Sequence, residues 1–377
     1  MKKYVQFILL LLVCFACGCK TTKFVPEGEL LLDKARVKVQ PQKEQGLSKG
    51  EASALAGELK SYLRQKQNTE IFGFWKLQLQ VYNTAPADTT SKANKFFARN
   101  AYRVGEAPVI YDESLTAVSM QQLNQAMQNK GYFRVSVDTL QKVKDRKMDL
   151  TYLVVANTPY TVRKYTVDID RSEVREIAMQ SQRKVEKGMQ FDVGLMDEER
   201  QRITTRMHNE GYFYFDKSML VYTADSSYND NTVEVELSIA DYVKHMPDSI
   251  SSQIYTRYTI RHVFFHCEGD NFIRESVLRR NCRLKEGGLY ADWRVDRTYA
   301  LLNNLGAVKY VDISFSPVGR DELDCHITVS KSKVHSVSAE LEGTYSAGDW
   351  GISAGVGYQN RNIFRGSELL SLNARAS

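Results

Sequence analysis

Histidine and cysteine side chains gather in two short segments of the chain, HVFFHC and DCHITV. The segments bring together two residue types that commonly bind zinc, at His262, His266, Cys267, Cys325 and His326. Both segments have the composition of strands, in which successive side chains point to opposite faces. Alternation places the histidines on one face and the cysteines on the other, so the sequence predicts no metal site and no cofactor. The two cysteines could instead pair as a disulfide between neighbouring core strands, or remain packed free thiols.

Acidic residues that could serve in catalysis have a simpler interpretation. Asp197, Glu198 and Glu199 begin a predicted helix, where the positive end of the helix dipole favours carboxylates. We find no serine–histidine constellation, phosphate-binding loop or paired-acid motif in the sequence. We therefore expect no catalytic residues and do not expect an enzyme.

Three stretches of the chain repeat one pattern of glycines and apolar residues. They are RVGEAPVIYDESLTAVSMQQLNQAMQNKGYFRVSV, KVEKGMQFDVGLMDEERQRITTRMHNEGYFYF and LKEGGLYADWRVDRTYALLNNLGAVKYVDISF. Each has a glycine after a charged turn, a predicted helix, a second glycine and a strand. The first glycines are Gly105, Gly188 and Gly287, and the second are Gly131, Gly211 and Gly306. We expect the second glycine to adopt the left-handed conformation that ends a helix.

Alternating strands surround these helices and complete each repeat. The segments ARVKVQ, YTVRKYTVDI and YTIRHVFFHC precede the helices, and a strand pair follows them. The sequence therefore predicts a mixed α+β protein of three like modules, each built as strand, helix, helix, strand, strand. The modules span 28–157, 158–241 and 255–333, with an insertion at about 69–102 and a hinge in HMPDSISSQ.

The insertion in the first module is rich in aromatic and basic residues. Two interpretations stay open: contact with a lipid surface, or packing onto the module itself. The residues concerned are Phe72, Phe74, Trp75, Phe96, Phe97, Lys76, Lys95 and Arg99.

The N-terminus MKKYVQFILLLLVCFACGCKTTKF is typical of an export signal. We predict a signal peptide at 1–18, acylation of Cys19 and a tether at 19–27; ordinary cleavage and an uncleaved anchor are the alternatives. The net charge of +6 is too small to indicate nucleic-acid binding. Export leaves an odd number of cysteines, which argues against a disulfide framework.

The repeated GYF junctions, the EKG and KEGG turns and the ending GISAGVGYQNRNIFRGSEL resemble the BamA/TamA family of outer-membrane assembly factors. The start of the mature chain, TTKFVPEGELLLDKARVKV, is most similar to the TamA-like lipoprotein branch. The resemblance implies tandem POTRA-like modules in the periplasm, followed by a transmembrane barrel. It also implies a protein that is lipid-anchored at the outer membrane through Cys19 and takes part in outer-membrane protein assembly or translocation.

In such a protein an exposed sheet edge can bind an unfolded outer-membrane protein or a periplasmic partner subunit by strand addition. The edges predicted from the sequence are 132–138, 212–221 and 309–315. Solvated edges without a partner, or a lipoprotein scaffold that docks one folded partner, are the alternatives. The candidate edge residues are Tyr132, Val135, Tyr212, Phe215, Lys309, Val311 and Ile313.

The last segment, 334–377, changes to long alternating strands. Each is long enough for a tilted strand to cross hydrocarbon, with apolar residues towards lipid. We predict the first two to three strands of a transmembrane β-barrel that is incomplete in this chain, because the smallest barrels have about eight strands. We therefore expect a truncated or fragmentary member of the family. The alternatives are a barrel completed by several copies or by a second polypeptide, and a vestigial stub on a lipoprotein scaffold.

Overall fold

The computed structural model describes residues 21–41, 47–180, 183–228, 230–346 and 349–376. The chain forms two compact units. Unit 1 extends to Lys164 and includes Glu186–Gly194 and Asp225–Glu234, and unit 2 holds Tyr165–Val185, Leu195–Ala224 and Val235 onwards. Across the described ranges, the helices are all too short or too polar to cross a membrane.

The first sheet has the order β1-β3-β2. Its strands are β1 (Leu31–Pro41), β2 (Ser136–Lys144) and β3 (Lys147–Ala156). Strand β3 pairs in parallel with β1 and antiparallel with β2. Alternate residues of β3 are buried, as expected of a strand with one face in a core. Asp145 and Arg146 make the tight turn of the β2–β3 hairpin, both with positive φ.

Four helices accompany the first sheet. They are α1 (Lys49–Leu59), α2 (Leu77–Asn83), α3 (Lys92–Val104) and α4 (Glu113–Asn129), with a 3₁₀ turn at Lys60–Tyr62. Ser48 and Glu51 form a capping box that starts α1. Helix α4 buries Leu123 and Met127 against Tyr152 of β3. The predicted insertion contains α2 and α3, whose small separate core consists of Ala85, Ala98 and Ala101.

The second sheet has the order β4-β6-β5. Its elements are β4 (Thr161–Asp168), α5 (Ser172–Met179), α6 (Val193–Asn209), a 3₁₀ turn at Lys217–Met219, β5 (Leu220–Asp225), β6 (Thr232–Ile239), α7 (Asp241–Lys244) and α8 (Asp248–Ile254). Val243 of α7 and Ile254 of α8 are buried in the core beside α6. The segment predicted as a hinge is therefore anchored by apolar contacts at both of its ends.

The third sheet repeats the order, as β7-β9-β8. Its elements are β7 (Thr259–Glu268), α9 (Glu275–Asn281), α10 (Asp292–Asn303), β8 (Val308–Val318) and β9 (Glu322–Lys331). Strand β9 again pairs in parallel with the first strand and antiparallel with the second. The mixed α+β class is confirmed.

A fourth sheet follows, with three antiparallel strands in sequence order. They are β10 (His335–Ser346), β11 (Asp349–Asn360) and β12 (Leu370–Ala376). It differs from the other sheets because no helix is interleaved with its described strands.

The expectation for the second glycines holds at two of the three positions. Gly131 and Gly211 have φ of 84° and 100°, but Gly306 has no positive φ. Helix α10 ends at Asn303, so Gly306 lies beyond the position where a left-handed residue closes a helix. Gly306 instead lies against the side chain of Arg361, and a Cβ atom there would be 3.3 Å from that of Arg361.

Candidate partner-binding edges

Strands β2, β5 and β8 each lie at the end of a three-stranded sheet. Each hydrogen-bonds to one neighbouring strand, so half of its backbone N–H and C=O groups point away from the sheet. In the described part of the chain, no other strand pairs with these outer sides. Such a row of groups is the feature that a strand-addition site requires.

The structure corrects where the candidate edge residues lie. Lys309, Val311 and Ile313 are in β8, although Val311 is buried. Tyr132, Tyr212 and Phe215 lie in turns before β2 and β5 and are buried in the hydrophobic cores, and Val135 packs beside the first core. The helix-ending turn is longer than the sequence suggested because its aromatic side chains fold back into the core. The strand edges therefore begin at Ser136 and Leu220.

Strand β2 is the edge best suited to accept another strand. All nine of its residues pair with β3, and it contains no proline. Leu140 and Val143 are exposed by 53% and 58%. Strand β8 is longer, but Pro317 lacks an N–H group, which limits pairing at that end.

A joint in unit 1 fixes the start of β4 to the end of α4. The carbonyl of Gly131 accepts a hydrogen bond from Tyr160 N–H (2.8 Å), and the carbonyl of Tyr160 accepts one from Phe191 N–H (2.8 Å). The ring centroid of Phe133 lies 4.7 Å from that of Tyr160 and 5.2 Å from that of Phe191. We call these four residues the first joint.

The same arrangement occurs in unit 2, between the end of α6 and the start of β7. The carbonyl of Gly211 accepts from Tyr258 N–H (2.8 Å), and the carbonyl of Tyr258 accepts from Tyr290 N–H (2.9 Å). Phe213 packs edge-on against Tyr290, with centroids 5.0 Å apart. These four residues are the second joint. The repeated GYF points to the glycine and the phenylalanine of each joint. The signal for Tyr160 and Tyr258 is the repetition of YTV and YTI before the strands.

A histidine–aspartate pair lies beside the second joint. His208 Nδ1 is 2.7 Å from Asp292 Oδ2, and its Nε2 is 2.5 Å from the carbonyl oxygen of Phe215. Tyr290 donates to the other Asp292 oxygen (2.6 Å). Burial lowers the pKa of His208, but the hydrogen bonds to Asp292 and Phe215 outweigh it, so the pKa is raised. Burial raises the pKa of Asp292, and the hydrogen bonds from His208 and Tyr290 bring it below its ordinary value.

Of the two alternatives for Cys267 and Cys325, the structure contradicts the disulfide and agrees with packed free thiols. All three described cysteines are free thiols. In the parallel register, Cys325 lies opposite Val263 and Cys267 lies opposite Val329. That offset of four residues separates the cysteines by about 13 Å along the strands, whereas a disulfide needs Cα atoms within about 7 Å. Burial raises the pKa of Cys325 to about 12, which keeps it a thiol.

The histidines lie on the exposed face of the third sheet, as alternation predicted. His266 Nε2 and His326 Nδ1 are 3.2 Å apart, and Phe264 stacks on His326. The part of the chain that the structure describes holds no group of three or more His, Cys, Asp or Glu side chains that could bind a metal ion.

The fourth sheet has one apolar face and one polar face. On the apolar face, Val337, Leu341, Ile352, Val356 and Leu372 are each more than half exposed. Cross-strand register places the other set together: Ser338, Glu340, Glu342, Ser353, Gly355, Gly357, Asn373 and Arg375. An exposed apolar face of three strands is unusual in water and marks a surface that meets an apolar partner or lipid.

The loop between β11 and β12 is held to the third sheet's helical layer. Asn362 donates to the carbonyl of Phe272 (2.7 Å) and accepts from Ser367 N–H (3.0 Å). Arg274 N–H donates to the carbonyl of Arg365 (2.9 Å), and its side chain pairs with Glu368 (3.2 Å). The sequence predicted the NIFRGSE segment only as a turn. In the structure, its hydrogen bonds and ion pair attach it to the residues that precede α9, within unit 2.

Comparison with known proteins gives distant structural likenesses. No protein-family model matches the chain, and no curated protein matches it. Among solved structures, the chain is similar to BamA from Haemophilus ducreyi lacking POTRA domains 1–3, at 19% identity and a TM-score of 0.46. That match covers 58% of this chain and 37% of that chain.

Two further structures extend the comparison. POTRA3–5 of Haemophilus influenzae BamA matches at 15% identity with a TM-score of 0.42, covering 82% of this chain and 100% of that chain. CdiB from Acinetobacter baumannii matches at 15% identity with a TM-score of 0.30, covering 57% of this chain and 38% of that chain. These values are low, so the likenesses do not decide the function.

Proposed function

We propose that the chain is a component of outer-membrane protein assembly or translocation that binds unfolded clients by strand addition. The observation that carries the proposal is the unpaired outer edge on each of three sheets with the same strand order. The GYF and NIFRGSE segments, through which the sequence resembles outer-membrane assembly factors, support it as well.

Backbone pairing suits a client that is extended and varied in sequence. An added strand bonds through N–H and C=O groups, which every client residue except proline supplies. The exposed Leu140 and Val143 lie on opposite faces of β2, so they offer one apolar contact to client side chains on each face. Strands of outer-membrane proteins alternate between apolar and polar residues, so they would fit such an edge.

The proposal places the three sheets in the periplasm and the fourth sheet in lipid. Strands β10 and β11 have twelve residues each, sufficient to cross hydrocarbon when tilted. The exposed apolar face would meet the acyl chains. More specifically, we propose that the fourth sheet is the beginning of a barrel wall. Acylation of Cys19, which lies outside the described residues, would add a lipid anchor.

Site-specific crosslinking tests the client-binding edge. A photo-reactive residue at Leu140 of β2 is compared with one at Val118 of α4, which is also exposed (53% and 41%). With a urea-unfolded outer-membrane protein diluted beside it, we expect adducts at position 140 and few at position 118. Equal labelling at both positions would contradict the proposal. Adducts with a folded partner alone would favour the docking scaffold.

A further inference from the structure

Helix α3 has a composition that its own packing does not explain. Its thirteen residues include Lys92, Lys95, Arg99 and Arg103 and no acidic residue. The four cations are exposed, and none forms an ion pair with a described residue. They recur every three or four positions, so they form one stripe along the helix.

Apolar side chains project from the same helix into solvent. Only Ala98 and Ala101 are buried, and they hold α3 against its neighbours. Phe96, Phe97 and Val104 remain exposed by 64%, 63% and 66%. Phe97 and Val104 line an open groove of about 550 Å³ with Val81 and Pro86. The helix thus presents aromatic and aliphatic residues beside a cationic stripe.

We infer that α3 is a membrane-contact helix that binds the anionic surface of a lipid bilayer. Exposed phenylalanines beside Lys and Arg are the features of helices that lie in the interface of a bilayer. The phenyl rings would enter the boundary between headgroups and acyl chains, and the cations would meet lipid phosphates. Charge complementarity selects a lipid surface with net negative charge over a neutral one.

The start of the described chain lies on the same part of the protein. Lys23 Nζ donates to the carbonyls of Asn83 and Ala85 (3.1 and 2.6 Å), and the Phe24 ring packs against Tyr82 and Tyr102. The amide of Asn83 donates to the carbonyl of Thr21 (3.2 Å). Tyr102 belongs to α3, so an acyl chain on Cys19 would begin two residues from a segment packed against this helix. The inference does not require acylation or client binding.

Vesicle binding of an unacylated full chain, Cys19→Ala, tests the inference. Vesicles with a phosphatidylglycerol fraction are compared with pure phosphatidylcholine vesicles. The fourth sheet would bind both alike, so the contribution of α3 is the difference between the two. The double variant Lys95→Glu/Arg99→Glu should reduce the preference for anionic vesicles by at least about 25-fold, because each lost cation contributes about fivefold and the new carboxylates add repulsion.

A matched charge reversal on another exposed element is the control. Lys142→Glu/Lys144→Glu changes the net charge equally but lies on β2. It should change the anionic preference by less than about threefold. Equal losses in the two double variants, or no preference of the parent chain for anionic vesicles, would overturn the inference. Client crosslinking at Leu140 is measured without vesicles. A failure of client binding would therefore count against the proposed function and leave the membrane-contact inference unaffected.

A depth measurement distinguishes insertion from attraction at a distance. Phe97→Trp and Val118→Trp are mixed with anionic vesicles that contain lipids brominated on the acyl chain. We expect quenching of the new fluorescence at position 97 and little at position 118. Equal quenching at both positions would contradict a membrane contact through α3.

Discussion

Gly131 shows how one residue can determine the geometry of a joint. Its φ is 84°, and a Cβ atom at this position would come within 2.7 Å of the carbonyl oxygen of Phe191. Gly188 has a similar φ of 90°, but its Cβ would meet no atom within 4 Å. The two glycines therefore share the conformational requirement and differ in crowding.

Alanine substitutions separate these two effects. We expect Gly188→Ala to lower the free energy of unfolding by about 1–2 kcal/mol, the cost of a left-handed alanine. Gly131→Ala should cost more, about 3 kcal/mol, since the first joint must also open. Thermal or urea unfolding of the two variants measures the difference. Equal losses would show that the joint is not tightly packed.

His208 gives the second joint a pH dependence. Its raised pKa means that its contribution to stability is fully present below about pH 6.5 and is lost as the pH rises through the folded-state value. The lowered pKa of Asp292 adds stability above about pH 4, which is lost as the pH falls further. The pair should therefore stabilise unit 2 most between about pH 4 and pH 6.5.

Replacing the histidine tests this window. Between pH 6 and pH 8.5 the parent chain should lose on the order of 1–2 kcal/mol more stability than His208→Gln, which cannot carry the charge. His245→Gln, at an exposed histidine, is the control and should follow the parent chain. Denaturant unfolding at the two pH values gives the comparison. A pH dependence that persists in His208→Gln would assign it to other groups.

At the scale of elements, the sequence predicts faces better than positions along the chain. Alternation correctly placed Cys325 in the core and His326 on the surface. It could not give the register of β7 on β9, because side-chain period is unchanged when a strand slides by two residues. For that reason the sequence left both alternatives for Cys267 and Cys325 open, the disulfide and the free thiols.

The lengths of turns are a second feature of the elements that the sequence did not predict. Tyr132 and Tyr212 follow a glycine and precede alternating residues, so the pattern predicted that they are the first residues of strands. In the structure they are buried at helix ends, and the strands begin four and eight residues later, at Ser136 and Leu220. Tertiary burial of the aromatic rings decides this, and no local pattern reveals it.

The fourth sheet yields a prediction of its own. In the Cys19→Ala background, Leu341→Arg on the apolar face should weaken membrane association, since a mid-membrane arginine costs about 2–4 kcal/mol. Ser338→Arg, on the polar face of the same strand, should have little effect. The fraction that sediments with outer membranes after a carbonate wash measures this. Equal retention of both variants would argue against lipid contact by this face.

At the scale of the whole molecule, the same strand order occurs in three sheets. Each of the first three sheets places its third strand in the centre, which leaves its second strand with a free edge. Each sheet has its own hydrophobic core beside it. The proposed pairing of a client with β2, β5 or β8 would therefore leave the core that supports the strand undisturbed.

Amide hydrogen exchange with and without an unfolded outer-membrane protein tests strand addition most directly, because it detects the backbone bonds themselves. We predict slower exchange in β2, and to a smaller extent in β5 and β8, with no change in α4 or in the central strand β3. Unchanged exchange in all three edge strands, at a client concentration where the complex forms, would contradict the account.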